Sequence, residues 1–371
     1  MDRSLAAATR ALVAAQSPDG AWRSHTYGAM KDGLSITPPI LKAVVFGPAV
    51  PGSEVARQRG AEFLVRCVRA DGTIAAGEFG LGYPVYTAAT AAIVLTYAKV
   101  PDAARAREAW MRELRSRQLT EQLGWSPTDL AYGGWGDSVV PTSNRNEPRQ
   151  GSAIDADLSS TLFAVGALRV VAGAKDDDPA LRKALDFVER CQNYAEDPSQ
   201  GEDAFDDGGF HFSPVNPMRN KAGEAGTDKS GRLRFHSYGS TTADGLRALL
   251  RCGASMRSPR VLAARKWLER HFSVNTNPGE FDPGREVERD ATYYYYCWSL
   301  AHAFRALGIE TITTPAGPIS WADALSHELI RRQHPDGTWV NRFSAAKEDD
   351  PLVATTLVAG ALGSCRLVMP R

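Results

Sequence analysis

The sequence predicts an all-α protein, a double-layered (α/α)6 toroid in which six helical hairpins close into a ring. A short phrase containing glycine and tryptophan occurs near both ends of the 371-residue chain, with weaker copies between them. Helical segments of two classes alternate along the chain, one amphipathic and one apolar on all sides. The last repeat is as apolar as the middle ones, whereas an open helical array normally ends in a polar cap. Ring closure is the simplest account of these observations.

The repeated phrase is Gln-x-x-x-Gly-x-Trp, found at 16–22 and again at 333–339. A Pro-Asp-Gly step predicts a tight turn, because glycine supplies the positive φ that the turn needs. The flanking glutamine amide and tryptophan ring can then hold two neighbouring helices together. Weaker copies lie at 68–74, 132–135 and 207–210.

Six amphipathic segments precede the turns, with apolar residues at i, i+3, i+4 and i+7, as in ALRKALDFVERCQ. Six segments that follow the turns are apolar all round and rich in small residues, which indicates burial. The amphipathic helices are therefore predicted as an outer layer, over 2–16, 54–69, 102–120, 178–193, 258–274 and 320–334. The apolar helices are predicted as an inner layer, over 36–46, 85–99, 157–173, 238–252, 290–307 and 350–366.

The whole chain, residues 1–371, is predicted to form one toroid domain with two long insertions, at about 121–156 and 194–237. Loops of this length in a compact domain are usually functional or disordered. Both insertions precede the N-terminus of an inner helix, and the inner helices run parallel. We therefore expect both insertions on one rim of the ring, and access to its centre from that rim.

The chain carries 43 basic and 43 acidic residues, so it has no net charge and no long-range attraction to nucleic acid. The expected partner is a hydrophobic small molecule or another protein. Five cysteines without a CxxC pair predict reduced, buried thiols rather than disulfides. No segment is predicted to reach the length of a transmembrane helix, and peripheral membrane contact stays open. The amphipathic N-terminus is not typical of a signal peptide, so a cytoplasmic location is expected.

The Gln-x-x-x-Gly-x-Trp phrase beside small-residue inner helices resembles the repeat of squalene–hopene cyclases and related triterpene cyclases. Their toroid is shared with the β-subunits of protein prenyltransferases. The order of motifs is similar to single-toroid bacterial proteins with the prenyltransferase/squalene oxidase repeat, at 157–161, 207–210, 237–242, 293–296 and 350–353. The resemblance covers the whole chain. It implies a hydrophobic isoprenoid bound in a central cavity, and acid-initiated cyclisation or isomerisation if the protein is an enzyme.

Those cyclases protonate their substrate with the middle aspartate of a DxDD motif, and the similar stretch here is Asp155-Ala156-Asp157-Leu158. The resemblance implies Asp157 as proton donor and Asp155 as its modulator, since a nearby carboxylate raises a carboxyl pKa. Leu158 stands where the family has its last carboxylate. The alternative is that Asp157 caps the following helix, where the helix dipole favours the charged carboxylate.

Carbocation chemistry needs a dry cavity lined by aromatic faces that stabilise cations. The aromatic residues near the inner helices or the predicted rim are therefore candidates for substrate binding: Trp135, Phe210, Phe212, Tyr238, Tyr294, Tyr295 and Trp298. The alternative for each is ordinary core packing.

Two other functions stay open at this point. A non-catalytic toroid could bind a lipid or a protein partner, as the missing motif aspartate suggests. A carbohydrate-active α/α barrel could use paired carboxylates, from an acidic rim of Asp155, Asp157, Asp290, Asp349 and Asp350. No metal and no cofactor are expected. Tyrosines occupy the stretch 293–296, where the resemblance to protein prenyltransferases would require a zinc-binding histidine.

Overall fold

The computed structural model describes residues 1–77, 80–145, 153–197, 199, 201–202 and 204–369. Twelve of its helices form six outer–inner pairs. The outer helices are α1 (Asp2–Ala14), α3 (Ser53–Arg66), α5 (Ala103–Arg115), α7 (Pro179–Arg190), α9 (Pro259–Arg270) and α12 (Trp321–Arg331). The inner helices are α2 (Thr37–Phe46), α4 (Pro84–Thr96), α6 (Leu158–Val171), α8 (Gly239–Arg251), α11 (Tyr293–Ala306) and α13 (Pro351–Val368).

The inner helices pack in chain order and the last returns to the first. α2 contacts α4, α4 contacts α6, α6 contacts α8, α8 contacts α11, α11 contacts α13, and α13 contacts α2. Each outer helix packs against the inner layer. The predicted all-α toroid of six hairpins is thus confirmed.

Burial in the two layers follows the two sequence patterns. Most of α4 is buried, as its apolar sequence on all sides predicts. The outer helix α7 buries only one stripe, formed by Leu181, Ala184, Phe187 and Val188. All five cysteines are buried and unpaired, as their spacing predicts.

Four glutamines at the ends of outer helices bridge neighbouring hairpins. Each side-chain amide nitrogen donates two hydrogen bonds of 2.9–3.0 Å, one to the glycine carbonyl of its own turn and one to a carbonyl near the start of the next outer helix. The bonded sets are Gln16 with Gly20 and Ala56, Gln118 with Gly133 and Ala180, Gln192 with Gly208 and Arg260, and Gln333 with Gly337 and Ser4. The last set joins the end of the chain to its beginning. The Ser4 hydroxyl adds a 2.6 Å bond to the Gln333 carbonyl oxygen.

The tryptophan of the phrase joins the two layers within one hairpin. The Trp22 indole N–H donates to Leu12 of the outer helix at 2.6 Å, and its backbone N–H donates to Thr37 of the inner helix at 2.9 Å. Trp135 and Trp339 repeat this arrangement with Thr161 and Thr355.

The glycine of the phrase is required for two reasons. At Gly133 the backbone has φ +86°, and a Cβ would lie 1.8 Å from the carbonyl oxygen of Lys183 in the next outer helix. At Gly20 the corresponding distance to the Arg59 carbonyl oxygen is 2.2 Å. Only glycine permits both the left-handed turn and the close approach of the two backbones.

Three small elements fall outside the sequence prediction. A short helix, α10 (Glu286–Ala291), precedes α11. The hairpin β1 (Glu224–Thr227) and β2 (Leu233–Phe235) lies in the second insertion. The hairpin β3 (Thr311–Thr314) and β4 (Gly317–Ser320) leads into α12, with Ile312 paired to Ile319.

One described helix, α13, is long and apolar enough to cross a membrane by length and composition alone, because its 18 residues extend beyond both ends of the apolar stretch that the sequence shows. In the ring it packs between α2 and α11 as an inner helix, with α1 and α12 behind it.

We predict that Gln333→Ala lowers the free energy of unfolding by about 1–3 kcal/mol, because two backbone carbonyls and the Ser4 hydroxyl lose their partner. Gln192→Ala, in the middle of the chain, should lower the free energy of unfolding by a similar amount. Urea denaturation measures both, and Gln58→Ala is the matched control, since the Gln58 amide is exposed on α3. A Gln333→Ala protein as stable as the control would contradict a closed ring.

Candidate functional site

Asp157 lies at the N-terminus of α6 and is fully buried. One carboxylate oxygen accepts a 2.7 Å bond from the Ser160 backbone N–H, and the other accepts a 2.9 Å bond from the Ser160 hydroxyl. The geometry is that of an N-cap, the alternative that the sequence left open. Its role as a proton donor stays a prediction.

The two insertions meet over this helix end and bring a cation to it. The Phe212 carbonyl accepts from the Leu158 backbone N–H at 2.9 Å, so the second insertion packs directly on the end of the first. Arg219 then reaches both carboxylates of the motif, with nitrogen–oxygen distances of 2.5 Å to Asp155 and 3.3 Å to Asp157. Asp155 also accepts from the backbone and hydroxyl of Ser138.

A third carboxyl group, that of Asp137, faces the same cluster and was missed in the sequence. It accepts a 3.2 Å bond from the Val85 backbone N–H at the start of α4. Burial, together with the charge of Asp157, raises the pKa of Asp137 to about 8. Burial also raises the pKa of Asp157 to about 6, against the opposing effect of Arg219. Three carboxyl groups around one guanidinium favour a proton held within the cluster.

A line of aromatic rings leads from this cluster towards the ring centre. Tyr86 of α4 lies near Ser160, and its ring meets Phe163 edge-on at 4.7 Å. Phe163 stacks on Trp298 at 5.5 Å, and the Tyr295 ring lies 5.5 Å from Trp298. Asp157 itself does not line the central space of the ring.

The centre of the ring holds a cavity of about 1960 Å³. This is larger than the roughly 300–1,000 Å³ of most small-molecule sites. The expectation that access is from the rim with the insertions is wrong. The cavity opens at the opposite rim, at the C-terminal ends of the inner helices, because the N-terminal residues of α2, α4, α6, α8 and α11 are buried.

Apolar side chains make up the larger part of the walls and mouth of the cavity, beside several charged ones. The wall residues include Pro39, Ala43, Ile93, Phe163, Leu250, Trp298 and Leu357. Around the mouth stands a collar of exposed apolar side chains, which are Phe46, Tyr97, Val170, Met256 and Leu367. An exposed group of large apolar residues on a soluble fold usually marks a surface that meets a ligand, a partner or a membrane.

Of the aromatic residues predicted to bind substrate, Trp298 lines the cavity. Trp135 and Phe210 are fully buried between the two layers, because each occupies the tryptophan position of a repeat. Tyr238 is buried against Phe281 at the N-terminal rim.

The remaining candidates lie around the closed end. Phe212 packs under the Arg219 guanidinium, 5.3 Å from its ring centre, and Tyr294 is buried with its backbone N–H bonded to Glu348. Tyr295 donates a 2.8 Å hydrogen bond from its hydroxyl to Asp244, which is fully buried behind the cavity wall. Unlike Trp298, these three aromatic residues do not line the cavity.

Asp244 is a second residue that the sequence analysis missed. It is the one acidic residue within the six inner helices, and it is fully buried. Hydroxyl groups of Ser159, Tyr295 and Ser299 donate to it, and Arg247 lies 3.5 Å away. Burial raises its pKa. A lone carboxylate in a helix of small residues, STTADGL, was the signal available in the sequence.

The other aspartates of the predicted acidic rim form hydrogen bonds or ion pairs with neighbouring residues. Asp350 caps α13 and accepts a 2.5 Å bond from the Ser24 hydroxyl, and Asp349 accepts from the Tyr27 hydroxyl. Asp290 pairs with Arg289. Among the described residues, no group of three or more His, Cys, Asp and Glu side chains is placed to hold a metal ion.

No protein-family model and no curated protein matches the sequence. Solved structures do match. The type II terpene cyclase MstE from Scytonema aligns at a TM-score of 0.59 and 15% identity, over 99% of this chain and 98% of that chain. The GH76A α-1,6-mannanase from a Salegentibacter species aligns at a TM-score of 0.57 and 11% identity, over 99% of each chain. The chain therefore has the α/α toroid fold of these enzymes.

We predict that stability falls as pH rises from 6 to 8, and that Asp137→Asn removes most of this fall. The folded pKa of about 8 lies above the ordinary aspartate value of 3.8, so the folded state holds a proton that the unfolded state releases. At pH 8 the variant should be more stable than the wild type by more than about 1.4 kcal/mol, the equivalent of one pKa unit.

Urea denaturation at several pH values measures this effect. Asp177→Asn, at an exposed carboxylate, is the control. Parallel pH profiles for wild type and Asp137→Asn would show that Asp137 is already charged in the folded protein.

Proposed function

We propose that this protein binds an isoprenoid-type hydrophobic molecule in its central cavity. The observation that carries the proposal is the cavity itself, a large space whose walls are apolar in their larger part and which opens through the apolar collar. Burying an extended hydrocarbon there would remove apolar surface from water, at about 25 cal/mol per Å². The collar also fits the peripheral membrane contact expected from the sequence, which stays a prediction.

The similarity to the terpene cyclase supports this choice of ligand. That protein forms complexes with geranylgeranyl dihydroxybenzoate, named as its substrate, and with merosterolic acid A, named as its product. In both complexes one aspartate of the enzyme has been replaced. At 13–14% identity the shared property is the fold, so the ligand class is carried over here as a proposal.

Acid-initiated cyclisation or isomerisation is the finer form of the proposal, with Asp157 as the acid and Asp155 as its modulator. The raised pKa of Asp157 supports this role, because the acid must keep its proton near neutral pH. Arg219 and the N-cap bonds favour the charged form instead. Asp244 is an alternative acid, since it accepts from Tyr295, whose ring lies 5.5 Å from the cavity-lining Trp298.

Carbohydrate hydrolysis is the competing function, supported by the similarity to the mannanase. Inactive variants of that enzyme replace two adjacent aspartates. In this protein the adjacent carboxylates of Asp349 and Asp350 accept hydrogen bonds from Tyr27, Ser24 and the α13 backbone. They lie at the rim away from the cavity mouth. Asp2, at the mouth, is the one acidic residue lining the cavity among the described residues. Glycosidases need two carboxyl groups across the sugar, so the geometry favours the hydrophobic ligand.

We predict that Gly363→Trp weakens binding of geranylgeraniol and squalene by about tenfold or more, because the new indole ring projects into the cavity and narrows it. Gly363 lines the cavity, and a Cβ built there meets no atom within 4 Å, so the substitution should fold. Gly363→Ala is the matched control, since it also removes the glycine but leaves the space. Fluorescence titration or calorimetry measures both. Equal affinities of the two variants would place the ligand elsewhere.

The catalytic form predicts that Asp157→Asn abolishes conversion of squalene or a shorter polyprenyl substrate, because asparagine keeps the N-cap but cannot donate the proton. Asp244→Asn tests the alternative acid, and Asp177→Asn is the control. Product analysis by mass spectrometry provides the measurement. Unchanged substrate with the wild type, or equal turnover by Asp157→Asn, would remove the catalytic role of Asp157 and leave ligand binding in place.

A further inference from the structure

The apolar cavity contains a group of cationic side chains that the proposed function does not use. Lys42 comes from α2, Arg247 and Arg251 come from α8, and Arg305 comes from α11. All four line the cavity. His302 lines it too, but burial lowers its pKa well below the usual histidine range, so its ring is neutral. In the ring order α2 and α8 stand on opposite sides, so the cations converge on the space from several directions.

This group has little compensating negative charge. Asp2, at the mouth, pairs with Arg366 at 3.0 Å and is not shared with the cluster. Asp244 lies 3.5 Å from Arg247 behind the cavity wall. Across the described part of the chain, no carboxylate lies within 4.0 Å of Lys42, Arg251 or Arg305. A protein with no net charge has therefore gathered unpaired cations in its central cavity.

The cations lie close enough for the charge of one to lower the pKa of another. Burial, together with the charges of Arg251, Arg247 and Arg305, lowers the pKa of Lys42 to about 7. Burial and the charge of Arg247 lower the pKa of Arg251 to about 9. Such an arrangement is unfavourable in the empty protein, because like charges repel and each has lost part of its hydration.

Helix capping explains only part of the cluster. Arg251 and Arg305 lie in the last turns of their helices, where the dipole favours cations, and Arg251 donates a 3.1 Å bond to the Leu162 carbonyl. Lys42 and Arg247 lie away from the helix ends, so the dipole does not account for them. Lys42 in particular is directed into the cavity without a hydrogen bond among the described residues.

We propose that the cavity ligand is an anionic amphiphile, whose oxyanion head is bound by Lys42, Arg251 and Arg305. Its apolar tail would extend past Arg247 to the floor, against Ile93, Phe163 and Trp298. This inference rests on the proposed function, and it adds the charge of the ligand. Phosphate, diphosphate and carboxylate heads share the required chemistry, since guanidinium and ammonium groups bind oxyanions through charge-assisted hydrogen bonds.

Pairs of ligands that share one tail and differ in the head test the proposal. Geranylgeranyl diphosphate is compared with geranylgeraniol, and palmitate with hexadecanol, by calorimetry on the full chain. Inorganic diphosphate alone is the control for a site that needs no tail. We expect at least one anion to bind about tenfold or more tightly than its alcohol, and inorganic diphosphate to bind more weakly than that anion.

The outcomes separate this inference from the proposed function. Equal binding of anion and alcohol in both pairs overturns the anionic head and leaves the hydrophobic ligand in place. If inorganic diphosphate binds as tightly as the preferred anionic lipid, the apolar tail contributes nothing, and the proposal of an amphiphilic ligand is overturned. Absence of binding by all four lipids overturns both. The pair that shows the preference identifies the head as phosphate or carboxylate.

Lys42→Met tests the residue assignment while keeping an unbranched apolar side chain. It should weaken binding of the preferred anion by about 10- to 100-fold, and its affinity for the matching alcohol should stay within about twofold of the wild-type affinity. Lys266→Met, on the exposed face of α9, is the matched control. Without ligand, Lys42→Met should melt at a higher temperature than the wild type, because an unpaired cation is removed. A lower melting temperature, with unchanged anion affinity, would show that Lys42 is structural.

Arg305→Gln provides a second variant at the exposed edge of the cluster. It should reduce anion binding by less than Lys42→Met, because its charge is already partly screened by solvent. Anion affinity unchanged in both variants would overturn the assignment of the head to this cluster.

Discussion

The structure depends on one small interaction, in which a glutamine amide bonds to its own turn and to the next outer helix. Because the same nitrogen serves both carbonyls, the angle between successive hairpins is fixed at each such step. In the part of the chain that the structure describes, the bridge occurs at four of the six steps, and the last one joins Gln333 to Ser4 and closes the ring. Because outer and inner helices alternate along the chain, the inner helices are parallel, with all their N-termini on one rim. The position of every site described above follows from that direction.

A ring of six helices cannot fill its own centre. Helices that pack about 8–10 Å apart in a hexagon have their axes at that same distance from the middle. A helix with its side chains has a radius of about 5–6 Å, so a central space remains. Small residues on the inner helices widen it, and the cavity of about 1960 Å³ is the result. The fold therefore provides a cavity before any function is assigned to it.

The two ends of this space differ because the helices are parallel. At the N-terminal rim, aspartates cap helices and the insertions cover them, so Asp157 is closed off and paired with Arg219. At the C-terminal rim, exposed apolar residues surround the mouth and the cations lie just inside it. The helix dipoles favour this distribution of charge. Lys42 goes beyond it, since it lies away from the helix end and lines the cavity near Arg247 and Arg251 without a carboxylate partner among the described residues, and this is the arrangement from which we infer an anionic ligand.

The sequence by itself determined the helices, their two layers and the ring, because these depend on local periodicity and on turn residues that lie close together in the chain. It also determined the N-cap at Asp157, which needs only Ser160. Tertiary structure decided which rim is open, since that depends on how two insertions fold over one end. It brought Arg219 to Asp157 across 62 residues, and it decided which side chains face the cavity. Trp298 and Lys42 do so, while Trp135 and Phe210 hold the layers together. Helical periodicity cannot make that distinction, because an inner helix is buried on every side and only packing selects the face that remains open.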